Sequence, residues 1–320
     1  ACFKMLFLSY EGVMLLCIYI LYIKEDSMRL EFIVPASQDG RKLKSCIRSY
    51  KGISASLWKR IKWDGRVTID GVENRNANVI LRKGNVVVCE WKENSDIIPS
   101  DRPVDILYED SFLLVVNKPV QMLIHPTSRS VQDTLVNAVA GYYRRVKTEA
   151  GIHPLYRLDR NTTGVVVVAK SARIQHALSK SHDLMYREYI ALAEGNIRDS
   201  SGLIDEPIGR KPGSIVEWMV RDDGKSAQTE FTVLERKEDF SVLRLHLLTG
   251  RTHQIRVHLS HAGHPLLGDD LYGGDTRLID RQALHAFSVR FIHPETGEAL
   301  HFEAPLPEDM QNLIIHKEKL

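Results

Sequence analysis

The sequence predicts an α+β fold, with a large domain built on a mixed, mostly antiparallel sheet flanked by helices and a small N-terminal α/β domain. Three observations lead there. Strand-like runs rich in β-branched residues come in groups and do not alternate strictly with helical segments. A polar stretch at 94–103 carries two prolines and breaks the regular pattern. Charge is also uneven, since residues 28–100 hold 14 Lys and Arg against 8 Asp and Glu while the whole 320-residue chain nets only +2.

These features divide the chain into a leader at 1–27, a basic domain at 28–93, a linker at 94–103 and a large domain at 104–320. A hydrophobic content of 43% suits one large core with a small companion. Cysteines stand at 2, 17, 46 and 89 with no C-x-x-C spacing. That pattern suits reduced thiols in a cytoplasmic protein and excludes a disulfide framework or a zinc finger.

In the leader, the apolar run after Glu11 and Gly12 spans 11 residues, short for a membrane helix. Because Met28-Arg29-Leu30 makes a credible soluble start, residues 1–27 are expected to precede the natural start, with a membrane anchor as the alternative. The basic domain reads as two short helices, 44–48 and 54–61, then strands at 66–71 and 85–88. Leu57 and Ile61 share one helix face, which leaves Lys59, Arg60 and Lys62 to project toward a phosphate backbone. Beyond the linker, strands are predicted at 106–108, 113–117, 164–169, 189–194, 228–234, 242–248 and 286–292, and helices at 131–145, 173–182 and 252–262. No internal repeat is visible.

The chemistry concentrates in Tyr156-Arg157-Leu158-Asp159-Arg160-Asn161-Thr162-Thr163-Gly164, which leads into Val165 to Val168. A carboxylate on the lip of a buried strand, with cations beside it, is one way to present a nucleophile, whereas the same residue types also make an ordinary turn. Two further segments favour the first reading: Gly250-Arg251-Thr252-His253-Gln254-Ile255-Arg256-Val257-His258-Leu259, and Arg187-Glu188-Tyr189-Ile190-Ala191-Leu192-Ala193-Glu194-Gly195. Asn117-Lys118-Pro119, His125-Pro126, Gly263 to Asp269, Leu284-His285-Ala286 and His293-Pro294 accompany them. In this order the segments resemble the RluA-type pseudouridine synthases, across roughly residues 104–310. The basic domain resembles the S4 RNA-binding module, departing from it at Asp70, where Asn is usual, and at Asn85, where Asp is usual.

The resemblance implies isomerisation of uridine to pseudouridine in RNA. It makes Asp159 the nucleophile, leaving open attack on the sugar, attack on the base, or removal of a ribose proton. Arg251 is placed beside Asp159, to keep the carboxylate ionised and oriented. Tyr189 would stack on the target base and take the C5 proton; Arg157 would enter the RNA stack where the uridine flips out. Arg256 is assigned to RNA contact with Arg157 and the three basic residues of the small domain. Tyr156 stands where His is common, and Thr162-Thr163 where Thr-Ser is common.

The histidines 253, 258, 261 and 264 cannot gather on one helix face, so no metal is expected. Gly209 to Gly213 lacks the spacing of a phosphate-binding loop, and the reaction needs no organic cofactor. The partner expected is RNA, with ribosomal RNA ahead of transfer RNA, and the protein is expected to act as a monomer without a membrane. The rival from another class is a non-catalytic RNA-binding ribosome-assembly factor.

Overall fold

In a computed structural model of the chain, residues 28–50, 53–92, 97–128, 130–180 and 185–316 are described. The expectations for the leader at 1–27 and for 94–96 of the linker lie outside them. Two compact units divide the chain between 96 and 97, and the first also takes 147–151 and 171–177. The small domain is therefore not a contiguous stretch, because two later segments join it.

The first unit holds an antiparallel sheet in the order β1-β4-β2-β3, formed by β1 (Met28–Ile33), β2 (Arg66–Ile69), β3 (Val72–Glu73) and β4 (Val86–Trp91). Its first helix is a single turn, α1 (Leu43–Ser45), which continues as a π-helical segment at Cys46–Tyr50. The second, α2 (Ala55–Asp64), begins where the Ser54 hydroxyl accepts from the Leu57 amide at 3.2 Å, satisfying one of the amides a helix start leaves free. Leu57, Trp58 and Ile61 are buried with Val87, Cys89 and Trp91, and each large apolar side chain so buried contributes roughly 1.5–3 kcal/mol.

Asp70 and Gly71 both take positive φ, 51° and 82°, in the two-residue turn that lets Ile69 face Val72. This is the hairpin geometry that a tight turn between right-twisted strands requires. The Asp70 carboxylate accepts from the Val86 amide at 2.7 Å and from Asn85 Nδ2 at 2.6 Å. The two departures from the S4 pattern are thus partners, an exchanged Asn and Asp that bond to each other.

The second unit is ordered around a ten-stranded sheet, β10-β13-β14-β9-β15-β8-β6-β5, with β16 joined to β15 and β7 to β8. Its early strands are β5 (Asp105–Glu109), β6 (Leu113–Lys118), β7 (His153–Pro154), β8 (Thr163–Ala169) and β9 (Tyr186–Glu194). The later ones are β10 (Ser201–Asp205), β13 (Gln228–Arg236), β14 (Phe240–Leu247), β15 (Leu284–Ile292) and β16 (Ala299–Glu303), while β11 (Ile208–Arg210) and β12 (Trp218–Val220) make a separate hairpin. Helices α3 (Leu135–Val146), α5 (Gln254–His261) and α6 (Glu308–His316) complete its order, while most of α4 (Ala172–Lys180) falls in the first unit. The mixed sheet and its flanking helices are the α+β architecture expected. Among the described residues its pairings are antiparallel except β15 with β8, where His285 faces Thr163 and Ala286 faces Gly164. At that junction Gly164 has φ 111°, and a Cβ there would sit 2.1 Å from the Ala286 carbonyl oxygen. Only glycine permits this approach. Val165 to Val168 are wholly buried beyond it, which explains the unbroken apolar run.

Candidate active site

The turn that carries Asp159 is fixed from beneath. Lys118, at the end of β6 and fully buried, donates Nζ to the carbonyls of Pro119, Met122 and Arg160 at 2.8, 2.9 and 3.1 Å. Burial draws its pKa down to about 7, the Asp159 charge opposing and Arg281 and Arg102 adding to the fall. Arg281 donates Nη1 to the Asn161 carbonyl at 3.2 Å, and Gln282 Nε2 reaches Thr162 Oγ1 at 3.3 Å. Thr163 and His285, opposite one another across β8 and β15, share a hydrogen bond of 2.8 Å. Every residue from 160 to 163 therefore has a buried partner from outside the turn.

Above this base the Asp159 side chain remains 27% exposed and meets two groups from the start of α5. Arg256 Nη1 donates to Asp159 Oδ2 at 3.2 Å, and His253 Nε2 lies 3.7 Å from Oδ1. Arg256 is held in turn by Asp269, which is fully buried and accepts from Nε at 2.7 Å and Nη2 at 2.8 Å. A planar guanidinium can bridge two carboxylates in this way and a lysine cannot. The two aspartates raise the pKa of Arg256 against the effect of burial, so the cation is permanent. Its plane also lies over the Tyr272 ring, 4.9 Å from the centroid.

Two expectations need correction. Arg251 does not sit against Asp159: it is exposed and its Nε donates to the Ser226 carbonyl at 2.8 Å. Arg256, expected at the RNA surface, is 6% exposed and takes the place beside the carboxylate. The cause lies in how α5 begins. Gln254 is stapled to β13 through the Gln228 carbonyl and Thr229 Oγ1, at 2.9 and 3.0 Å, and its Oε1 accepts from Thr249 and from the Arg251 amide. The helix starts at Gln254, so Arg251 precedes it and turns outward while Arg256 lies on its buried face.

Tyr189 is 5% exposed on β9, and burial first, then the Asp159 charge, raises its phenol pKa against Arg187. Tyr156 donates to the Val165 carbonyl at 3.2 Å and lies under Arg187, whose guanidinium is 5.4 Å from its ring centre. The tyrosine in the place of histidine is thus tied to β8. Arg157 is exposed, and the partly shielded imidazole of His125 has its pKa lowered by that shielding first and by the Arg157 charge second. In the other unit, Lys59 is exposed, Arg60 half-buried, and Lys62 holds its ammonium 4.8 Å over the exposed Trp63 ring.

The histidines thought of as a cluster take separate partners: His253 pairs with Tyr272, His258 with Thr229 and the Glu206 carbonyl, and His264 with the Glu194 carbonyl. Among the described residues no three His, Cys, Asp or Glu side chains converge as metal ligands. Sequence reasoning missed Lys118, Asp269, His253 and Tyr272 as parts of the site. The first three stand inside segments that carry the family resemblance; nothing in the sequence marks Tyr272.

A partly exposed carboxylate in the turn before β8, held by a buried arginine that a second, buried aspartate anchors, defines the site to be compared. Residues 112–261 match the family of RNA pseudouridylate synthases. An uncharacterised RNA pseudouridine synthase of Bacillus subtilis is 40% identical over 270 residues, 82% of this chain and 95% of its own. Ribosomal large subunit pseudouridine synthase D of Escherichia coli is 36% identical over 306 residues, covering 90% of this chain and 94% of its own. A solved structure of human RNA pseudouridylate synthase domain containing 1 superposes with a TM-score of 0.54 at 28% identity, covering 64% of this chain and 84% of that one. The chain belongs to the RluA-type pseudouridine synthases, and it is an isomerase. Among the described residues no helix is long and apolar enough to cross a membrane.

Proposed function

We propose that this enzyme isomerises uridines in large-subunit ribosomal RNA with Asp159 as nucleophile, on a base flipped out of the RNA. One observation carries this reading: Asp159 is the partly exposed carboxylate at the end of a chain of buried charge, Asp269 to Arg256 to Asp159. Breaking N1–C1′ and forming C5–C1′ requires a group that holds the detached fragment, with the C5 proton leaving and N1 gaining one, so atoms balance without a co-reactant. An ionised, oriented carboxylate serves that end. Exposed Arg157 two residues away supports its entry into the vacated stack, where a guanidinium plane replaces lost stacking. Tyr189 would contact the base and receive the C5 proton.

The ribosomal target is supported by relatives whose names carry it and by the basic first unit, which acts in this reading as an S4-like RNA anchor through Lys59, Arg60 and Lys62. Arg251, exposed at the start of α5, joins this RNA-facing set. The enzyme would work as a cytoplasmic monomer with no metal or organic cofactor. Tritium release from RNA carrying 5-tritiated uridine tests the proposal. Release from ribosomal RNA that vanishes in Asp159→Asn supports it; release confined to transfer RNA overturns the target, and release that survives the substitution overturns the nucleophile.

A further inference from the structure

His253 takes a left-handed backbone, φ 56° and ψ 22°, at the position before α5. Left-handed non-glycine residues concentrate where a side chain must be aimed, and histidine tolerates the conformation better than most. Its ring is aimed in two directions. Nδ1 meets the Tyr272 hydroxyl at 2.8 Å, and Nε2 faces Asp159 Oδ1 at 3.7 Å.

Donors and acceptors decide which nitrogen carries the proton. The Tyr272 oxygen accepts from the Trp218 amide of β12 at 3.0 Å. Among the described residues no other acceptor for its O–H stands within hydrogen-bond reach, which favours donation to His253 Nδ1. A neutral imidazole that accepts at Nδ1 must carry its hydrogen at Nε2, directed at the carboxylate. Burial lowers the His253 pKa, which suits the neutral form. The gap to Oδ1 is longer than a hydrogen bond, and catalytic contacts of this length often tighten only in the complex with substrate.

We propose that His253 is a positioning residue for Asp159, set as the Nε2–H tautomer by Tyr272, and that its N–H holds Oδ1 while Arg256 holds Oδ2. The two donors then fix the carboxylate plane, where one alone would leave it free to rotate. This inference rests on the reading of Asp159 as the reacting group. The hairpin of β11 and β12 enters the arrangement through the Trp218 amide, which gives that detached piece of sheet a part in the site.

Steady-state tritium release from a ribosomal RNA transcript carrying 5-tritiated uridine tests this, with filter binding of the same RNA measured beside it. For His253→Ala, kcat falls on the order of 10²-fold with KM and RNA affinity within about twofold, the scale of a misplaced reacting group. His253→Gln, whose amide N–H has similar reach, recovers to within about tenfold of the parent, and Tyr272→Phe, which frees the tautomer, falls between the two. Asp159→Asn is the reference. If Asp159→Asn is inactive while His253→Ala keeps the parent kcat, the inference fails alone. Equal losses in the Ala and Gln variants, with KM rising in step, would make His253 merely structural and also overturn it. An active Asp159→Asn would remove the reading on which it stands.

Discussion

Asp269 and Arg256 form a buried pair whose two members can be removed separately or together. Leu at 269 leaves Arg256 with only the partly exposed Asp159, whereas Met at 256 leaves Asp269, 0% exposed, with no cation. Breaking a buried pair on one side costs about 3–5 kcal/mol, and we expect Asp269→Leu near the lower figure and Arg256→Met near the upper. For a unit of this size each kcal/mol moves the melting midpoint by about 2–4 °C, so the single variants should melt roughly 6–20 °C early. The double variant carries no orphaned charge, and apolar replacement of a whole pair is often neutral. It should melt within about 4 °C of the parent. Asp159 has nevertheless lost its guanidinium, so the double variant should be folded and inactive. Circular dichroism melts and tritium release measure the two halves. Single variants as stable as the parent, or a double variant that still releases tritium, would refute the account of the pair as the mount of the carboxylate.

Two further predictions concern the base of the site. Gly164→Ala puts a Cβ against the Ala286 carbonyl at a positive φ, and we expect a loss of about 3 kcal/mol or more, or failure to fold, read from urea denaturation. Lys118 titrates near 7 when folded against 10.5 for its ordinary value. Between those pH values the unfolded chain binds more protons at this residue, so its destabilising contribution, complete below pH 7, is relieved as pH rises toward 10.5. Its share of the slope is at most about 1.4 kcal/mol per pH unit. Urea midpoints of the parent and Lys118→Met at pH 7 and pH 9 should show the parent gaining relative to the variant, and parallel profiles would refute the assignment.

The central strands were legible in the sequence because burial on both faces leaves an unbroken apolar run, as in Leu113 to Val116 and Val165 to Val168. β10 was not, since Ser201 to Asp205 lie at the edge of the sheet and four of the five are exposed. β11 and β12 are three residues each and gave no period to read. Asp159 was legible through its turn and its neighbours. The choice between Arg251 and Arg256 was not, because it depends on where α5 starts, and that depends on Gln254 reaching β13, about 25 residues away in the chain. Asp269 stood in a recognisable Gly-Asp pair, yet only its burial against Arg256 reveals what it does.

The crossing of β8 and β15 joins Thr163 to His285, 122 residues apart, and Asp159 waits for Arg256, 97 residues downstream. During synthesis from the N-terminus Asp159 therefore leaves the ribosome well before the residues that hold it. At about 5–20 residues per second the interval lasts on the order of 5–20 s. Closing so long a loop is also a late event in folding, since its entropy must be met before the distant contacts form. A chain that stops short of β15 has Asp159 and none of the pairing with β8 that holds its turn from beneath.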